Sequence, residues 1–280
     1  MKLHSIETGR FKLDGGAMFG VVPKLLWNKT NPADENNRID MAARCLLIEA
    51  DQHLILIDNG IGNKYDAKFA SNYAIDQDTT LQKSLNTLGY STDDITDMVL
   101  THLHFDHCGG STQWKEPGVK AEPVFRNARY HVQKSHLHWA QNPNPREKAS
   151  FLKDNIEPLT ASGQLNLLEG ESQLFPFLKL RVVNGHTEAQ QLPQITYKGR
   201  EILFAADLFP TTGHLPLPYV MGYDVRPLLT LEERAVFLHQ AVAEGLVIFY
   251  EHDPVNELST VIQNERGAFG PGDIFKLSDL

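Results

Sequence analysis

The apolar positions of this chain come in short bursts, not in long periodic runs. Residues 3–9 and 11–22 read as two strands or a hairpin. A polar, Asn/Asp-rich loop from Asn28 to Asp40 follows. Met41 to Ala50 and His53 to Asp58 read as two more strands joined at Asp51-Gln52. Leu81, Leu85 and Leu88 recur at i, i+4 and i+7, and Gly89 comes next, which predicts an amphipathic helix with a glycine stop. Strands are expected at 97–101 and 124–132, and a helix at 133–142 with a loop from Asn142 to Arg146. Strands near 164–169 and 177–183 open a second half. Ile202–Ala206 and Leu246–Tyr250 are continuous apolar runs, as fully buried strands have. Thr230-Leu231-Glu232-Glu233 matches a capping box. The helix behind it would bury Leu231, Ala235, Leu238 and Val242 and stop at Gly245. The strand-rich, helix-punctuated pattern thus occurs twice, compatible with two similar halves of one α/β domain spanning 1–280.

Four of these strands end in metal-ligand residues. Asp97–Leu100 runs into Thr101-His102-Leu103-His104-Phe105-Asp106-His107-Cys108-Gly109-Gly110. Three imidazoles and a carboxylate in so short a stretch are the donors a borderline cation such as zinc prefers. His102 and His104 are two apart and share a side of an extended chain. Asp106 and His107 follow at the turn, where they can reach a second metal. Further donors close other strands: His186 after Arg181–Val183, Asp207 after Ile202–Ala206, and His252 after Leu246–Tyr250. A carboxylate ending a buried strand has to be paired.

Composition narrows the partners. A net charge of −9 with no Lys/Arg cluster disfavours nucleic acid and favours a small neutral substrate. No apolar run approaches the ~20 residues of a membrane helix, and Met1–Glu7 lacks an apolar signal core. Cys45 and Cys108 make no disulfide framework, so two reduced thiols in a cytoplasmic protein are expected. Cys108 adjoins His107, but the carboxylate and imidazole set is complete without it. His136-Leu137-His138 resembles a second ligand pair. On a helix, residues two apart do not face each other, so it reads as a surface feature.

His102-x-His104-x-Asp106-His107, then His186, Asp207 and His252 in this order, resembles the metallo-β-lactamase superfamily of metal-dependent hydrolases. The resemblance covers nearly the whole chain. It implies an αββα sandwich of two mixed sheets flanked by helices. It also implies two metals, Zn²⁺ or another divalent ion such as Mn²⁺, Co²⁺ or Fe²⁺. One would take His102, His104 and His186, the other Asp106, His107 and His252, with Asp207 between them. Asp58, ending the strand Leu54–Ile57, matches the superfamily's aspartate that orients a ligand imidazole.

Asp14–Lys24 and the stretch from Asp207 to Asp224 resemble the branch that holds N-acyl-homoserine lactonases and methyl-parathion-type hydrolases. Those lactonases carry a Tyr three residues after the bridging Asp, where this chain has Pro210. Tyr223 or His214 are the candidates to replace it.

Two metals sharing a water lower its pKa toward ~7 and supply a hydroxide nucleophile. Asp207 and Asp106 are the expected catalytic carboxylates, Asp106 as proton shuttle. The apolar segments Met18–Trp27 and Leu215–Met221 are expected to line a hydrophobic cleft, with Phe19, Trp27, His214 and Tyr223 against substrate. The reading that follows is a metal-dependent lactonase or related esterase acting on a small hydrophobic molecule, with room for a homodimer. Its nearest alternative is a phosphotriesterase on the same site. A glyoxalase-II-type thioesterase lacks its basic C-terminal helices here, a class B β-lactamase would often carry Cys at Asp207, and a non-catalytic metal module would not need seven ligands.

Overall fold

The computed structural model describes residues 1–76 and 78–280. Along the chain, β1 (Lys2–Asp14) leads into α1 (Gly15–Phe19) and α2 (Lys24–Trp27). Then come β2 (Arg38–Ala50), β3 (His53–Ile57), α3 (Ala67–Tyr73), α4 (Leu81–Thr87) and β4 (Asp97–Val99). A four-residue α5 (Phe105–Cys108) precedes the hairpin β5 (Thr112–Glu116) and β6 (Lys120–Pro123). β7 (Arg129–Gln133), α6 (Lys134–Gln141), α7 (Lys153–Ser162) and β8 (Leu165–Leu168) follow. The remainder is β9 (Ser172–Phe175), β10 (Leu178–Val183), β11 (Gln190–Tyr197), β12 (Arg200–Phe204), α8 (Pro227–Glu244), β13 (Val247–Phe249), β14 (Leu258–Gln263) and β15 (Phe269–Phe275).

Two compact units emerge. The first comprises residues 1–10, 43–170 and 189–191, the second 11–42, 171–188 and 192–280. A six-stranded sheet has the order β1-β2-β3-β4-β7-β8. Its β3, β4, β7 and β8 run parallel, so their C-terminal ends share one edge. Leu47, Leu56, Met98, Tyr130 and Val132 of this sheet pack with Phe125, Ile156 and Leu159 into the first unit's core. A seven-stranded sheet has the order β15-β14-β13-β12-β11-β10-β9. Here β12 and β13 are parallel, joined through α8, and their apolar runs are buried as predicted for a sheet covered on both faces.

Several boundaries differ from the sequence reading. Where strands or a hairpin were expected over 3–9 and 11–22, Lys2–Asp14 is one strand, ended because the Asp14 carboxylate accepts the Ala17 N–H at 2.8 Å and starts α1. The strand expected at 124–132 begins only at Arg129. α8 starts at Pro227, the first-turn position proline favours, so Thr230 lies inside the helix and caps nothing. Its buried face carries Thr230, Arg234, Phe237, Leu238 and Ala241, and Val242 is exposed. The buried Arg234 rotates that face. Its guanidinium donates to the carbonyls of His214, Pro216 and Tyr219, so a charged position sits where pattern reading expects solvent.

Candidate metal centre

In the first unit the chain leaves β4 and stays buried from Thr101 through Gly109. Asp58, just past β3, organises this loop. One carboxylate oxygen accepts the Thr101 N–H at 2.7 Å, and the other accepts the Thr101 hydroxyl at 2.6 Å. The second oxygen also lies 3.1 Å from His107 Nδ1. Asp58 holds φ 54°, a left-handed conformation that aspartate tolerates better than most residues. The Gly109-Gly110 pair is required sterically: a Cβ on either would strike the carbonyl of Ile61 or Asn59.

These bonds set the tautomers of His102 and His107. The Thr101 hydroxyl spends its hydrogen on Asp58, so its oxygen, 3.1 Å from His102 Nδ1, accepts the Nδ1–H. That leaves His102 Nε2 with a lone pair. His104 turns Nε2 toward the buried Glu147 carboxylate, 3.6 Å away. His102 Nε2 and His104 Nδ1 stand 3.0 Å apart. Two imidazole nitrogens held that close share either a proton or a cation. His107 gives Nδ1–H to Asp58 and turns Nε2 toward Asp106, 3.8 Å from its Oδ2.

The second unit builds a matching half. Asp207 follows β12 and His252 follows β13, while His186 follows β10. Asp207 divides its carboxylate: Oδ2 lies 3.0 Å from His186 Nε2 and Oδ1 lies 3.1 Å from His252 Nε2. The other nitrogens are committed. His186 Nδ1 is 2.8 Å from Asp224 Oδ1, and His252 Nδ1 donates to the Ala42 carbonyl at 2.8 Å. His252 Nε2 therefore presents a lone pair to a carboxylate oxygen, again an arrangement of acceptors around the place of a cation. Burial works against a charged His186, but the carboxylates of Asp207 and Asp224 outweigh it and lift its pKa to about 10. Ala206, directly before Asp207, has φ 42°. Glu233, read as a capping-box residue, instead accepts the N–H groups of Asn184 and Gly185 at 2.6 and 2.9 Å and braces the loop before His186.

Within the first unit the structure joins His102, His104, Asp106, His107 and Asp58. Within the second it joins His186, Asp207 and His252. Phe19 and Trp27 are buried and stack on each other at 5.2 Å, whereas Val21 and Leu25 of the same apolar segment are exposed. His214 is fully buried and stacks on Phe19 at 4.2 Å. Its Nε2 donates to the Met18 carbonyl and its Nδ1 meets the Thr211 hydroxyl. Burial, then the Arg234 charge, pushes its pKa down to about 3, so the ring is neutral. Tyr223 keeps 38% of its surface exposed.

Four features escaped the sequence reading. His136 is not on the surface: its ring is buried, and Nε2 accepts the Leu103 N–H at 2.8 Å. Glu147 and Asp224 have no motif, since an isolated acid in a loop carries no spacing signal. Lys64 donates to the carbonyls of Gly109 and Thr112, and burial lowers its pKa to about 8. Tyr65, Phe69 and Tyr73 form an aromatic row along α3 and its approach, with Phe105 of the metal loop 5.1 Å from Phe69 and 5.0 Å from Tyr73. Their i, i+4, i+8 spacing was the available signal. Cys108 is buried, its thiol pushed up to about 12 by burial, and its Sγ meets the Leu103 carbonyl.

Residues 39–252 match the metallo-β-lactamase superfamily, and the chain belongs to it, as a hydrolase of that superfamily. An N-acyl homoserine lactonase of Bacillus sp. is 25% identical over 279 residues, covering 95% of both proteins. A solved structure of a probable metal-dependent hydrolase from Staphylococcus aureus is 28% identical, with a TM-score of 0.87 over 98% of both chains. A dizinc quorum-quenching lactonase in complex with a product, N-hexanoyl-L-homoserine, is 23% identical, with a TM-score of 0.80 over 98% of this chain and 95% of its own. At that identity the last likeness bears on the fold alone. The α/β metallo-β-lactamase class expected from the sequence is the class of these neighbours.

Proposed function

We propose that the two half-sets work together as one dinuclear centre in a single domain, and that the protein is a zinc-dependent lactonase acting on N-acyl-homoserine lactones or related esters. The observation that carries this reading is Asp207, whose two oxygens go to two imidazoles that each have Nδ1 already committed. His102, His104 and His186 would hold one ion, and Asp106, His107 and His252 the other, with Asp207 common to both. Bound divalent ions would supply a water ionised near neutral pH and a charge to polarise the substrate carbonyl. The chain's own groups do the rest. Asp106 takes up a proton and returns it to the leaving ring alkoxide. The aromatic row of Tyr65, Phe69, Tyr73 and Phe105 offers apolar surface to an acyl chain and excludes water. Hydrogen bonding to the carbonyl oxygen falls to Tyr223, because His214 has both nitrogens engaged.

The lactonase relative supports this substrate class over others in the superfamily. Such an activity on acyl-homoserine signals would be quorum quenching. Two buried free thiols suit a reducing cytoplasm. Among the described residues no helix is long and apolar enough to cross a membrane. Pro210, standing where the related lactonases have Tyr, favours a second reading, phosphotriester hydrolysis. A nitrophenolate leaves without the assistance that a ring alkoxide needs. Kinetics of the metal-loaded protein on homoserine lactones, aryl esters and aryl phosphotriesters separate the two. Turnover confined to phosphotriesters would replace the lactonase reading.

A further inference from the structure

Leu103 is the residue between the paired imidazoles of His102 and His104, so the orientation of its peptide group controls both. Its N–H is donated to His136 Nε2 at 2.8 Å, from a ring that is fully buried. The surrounding segment repeats this hold. The Phe105 N–H is donated to the Ser150 carbonyl at 3.0 Å. Glu147, accepting from Trp139 Nε1 at 2.8 Å and Asn144 Nδ2 at 2.5 Å, faces His104 Nε2. The Phe151 ring lies 4.7 Å from the ring of His104 and 5.8 Å from that of His136. Alternate residues of the metal loop are thus gripped from residues 136–151. The backbone N–H groups of 103 and 105 go to α6 and the loop beyond it, while the side chains of 102 and 104 converge on each other.

We propose that His136 is a positioning residue of the metal centre: it serves as a neutral acceptor that fixes the Leu103 peptide and thereby the convergence of His102 and His104. The inference rests on the metal-centre reading above. A backbone N–H buried without its acceptor would seek another partner, and the loop would turn to find one. Removal of such supporting partners typically weakens metal binding about 10- to 100-fold. Packing alone would not distinguish His from an apolar ring. An acceptor at the Nε2 position does, and glutamine supplies one at similar reach, whereas asparagine falls short.

The test uses the full chain, stripped of metal and titrated with Zn²⁺ against a chromophoric chelator, with the Co²⁺ absorption spectrum as a second readout. His136→Leu and His136→Asn should bind the first ion about 10- to 100-fold more weakly and show an altered Co²⁺ spectrum. His136→Gln should stay within about threefold of wild type and keep its spectrum. If His136→Leu does not fold, the Gln and Asn pair decides, since both are polar and of graded length. Wild-type affinity in His136→Leu or His136→Asn, or a loss in His136→Gln as deep as in His136→Asn, overturns the proposal while leaving the metal centre intact. A wild-type chain that takes up no metal overturns the underlying reading and this inference together.

Discussion

The carboxylate of Asp224 lies 2.8 Å from His186 Nδ1, and both side chains are buried. It is the anion on the far side of the imidazole from Asp207. In the proposed centre it would hold the ring in one tautomer and raise the basicity of Nε2. Asp224→Ala should therefore weaken metal binding by about 10- to 100-fold, while Asp224→Asn, which keeps an acceptor, should lose less. Chelator competition measures both. Equal affinity in wild type and Asp224→Ala would remove Asp224 from the centre.

Metal content is the broadest check. About two ions per chain are expected by elemental analysis of protein purified without chelator. Activity should vanish on chelation and return with Zn²⁺, Co²⁺ or Mn²⁺. An active preparation free of metal would contradict the proposed centre.

Asp207→Ala takes away the one carboxylate that His186 and His252 share. A fall in kcat of at least ~10²-fold is expected, with one ion lost or loosened. Near-normal turnover with both ions retained would show that the two imidazoles do not depend on it.

Under the proposed lactonase reading, Pro210 sets the expected substrate range. Activity on homoserine lactones should be measurable but reduced, something like ~10²-fold below a site that keeps its full set of oxyanion donors. Longer acyl chains should be preferred, because the aromatic row beside Phe105 is apolar. Tyr223→Phe should lower lactone turnover further. Insensitivity to both chain length and Tyr223→Phe would place the acyl chain and the carbonyl elsewhere.

Asp97 offers a pH test away from the metals. Burial raises its pKa, but hydrogen bonds from His131, Thr96 and His53 outweigh this and bring it to about 2. A carboxyl lowered in the folded state adds stability that is complete above its unfolded pKa and is lost as pH falls toward the folded one. Asp97→Asn should cost about 2 kcal/mol at pH 7, and the difference should shrink between pH ~4 and pH ~2. Denaturant midpoints across that range read it directly. A constant difference down to pH 2 would mean the cost is steric.

The candidate ligand residues stood out in the sequence because each follows a strand-like run, as the structure places them after β4, β10, β12 and β13. What supports them was not legible. Glu147 and Asp224 act through contacts set only by tertiary packing. His136 was misread because a helix rule about neighbours at i+2 says nothing about which single member is buried. Glu233 satisfied a capping-box pattern while serving the backbone ahead of His186, a case of local sequence chemistry overridden by a distant partner. The start of α8 was signalled by Pro227 and missed for the same reason.

Ala206 sits in a left-handed backbone conformation immediately before Asp207, although an alanine gains nothing from it. Such a residue stores on the order of 1 kcal/mol of strain. Glycine would relax it at no steric cost. That strain sits at the link between β12 and the carboxylate shared by His186 and His252. A screen for heat-tolerant variants that admits Ala206→Gly would be selecting for a looser approach of the shared carboxylate.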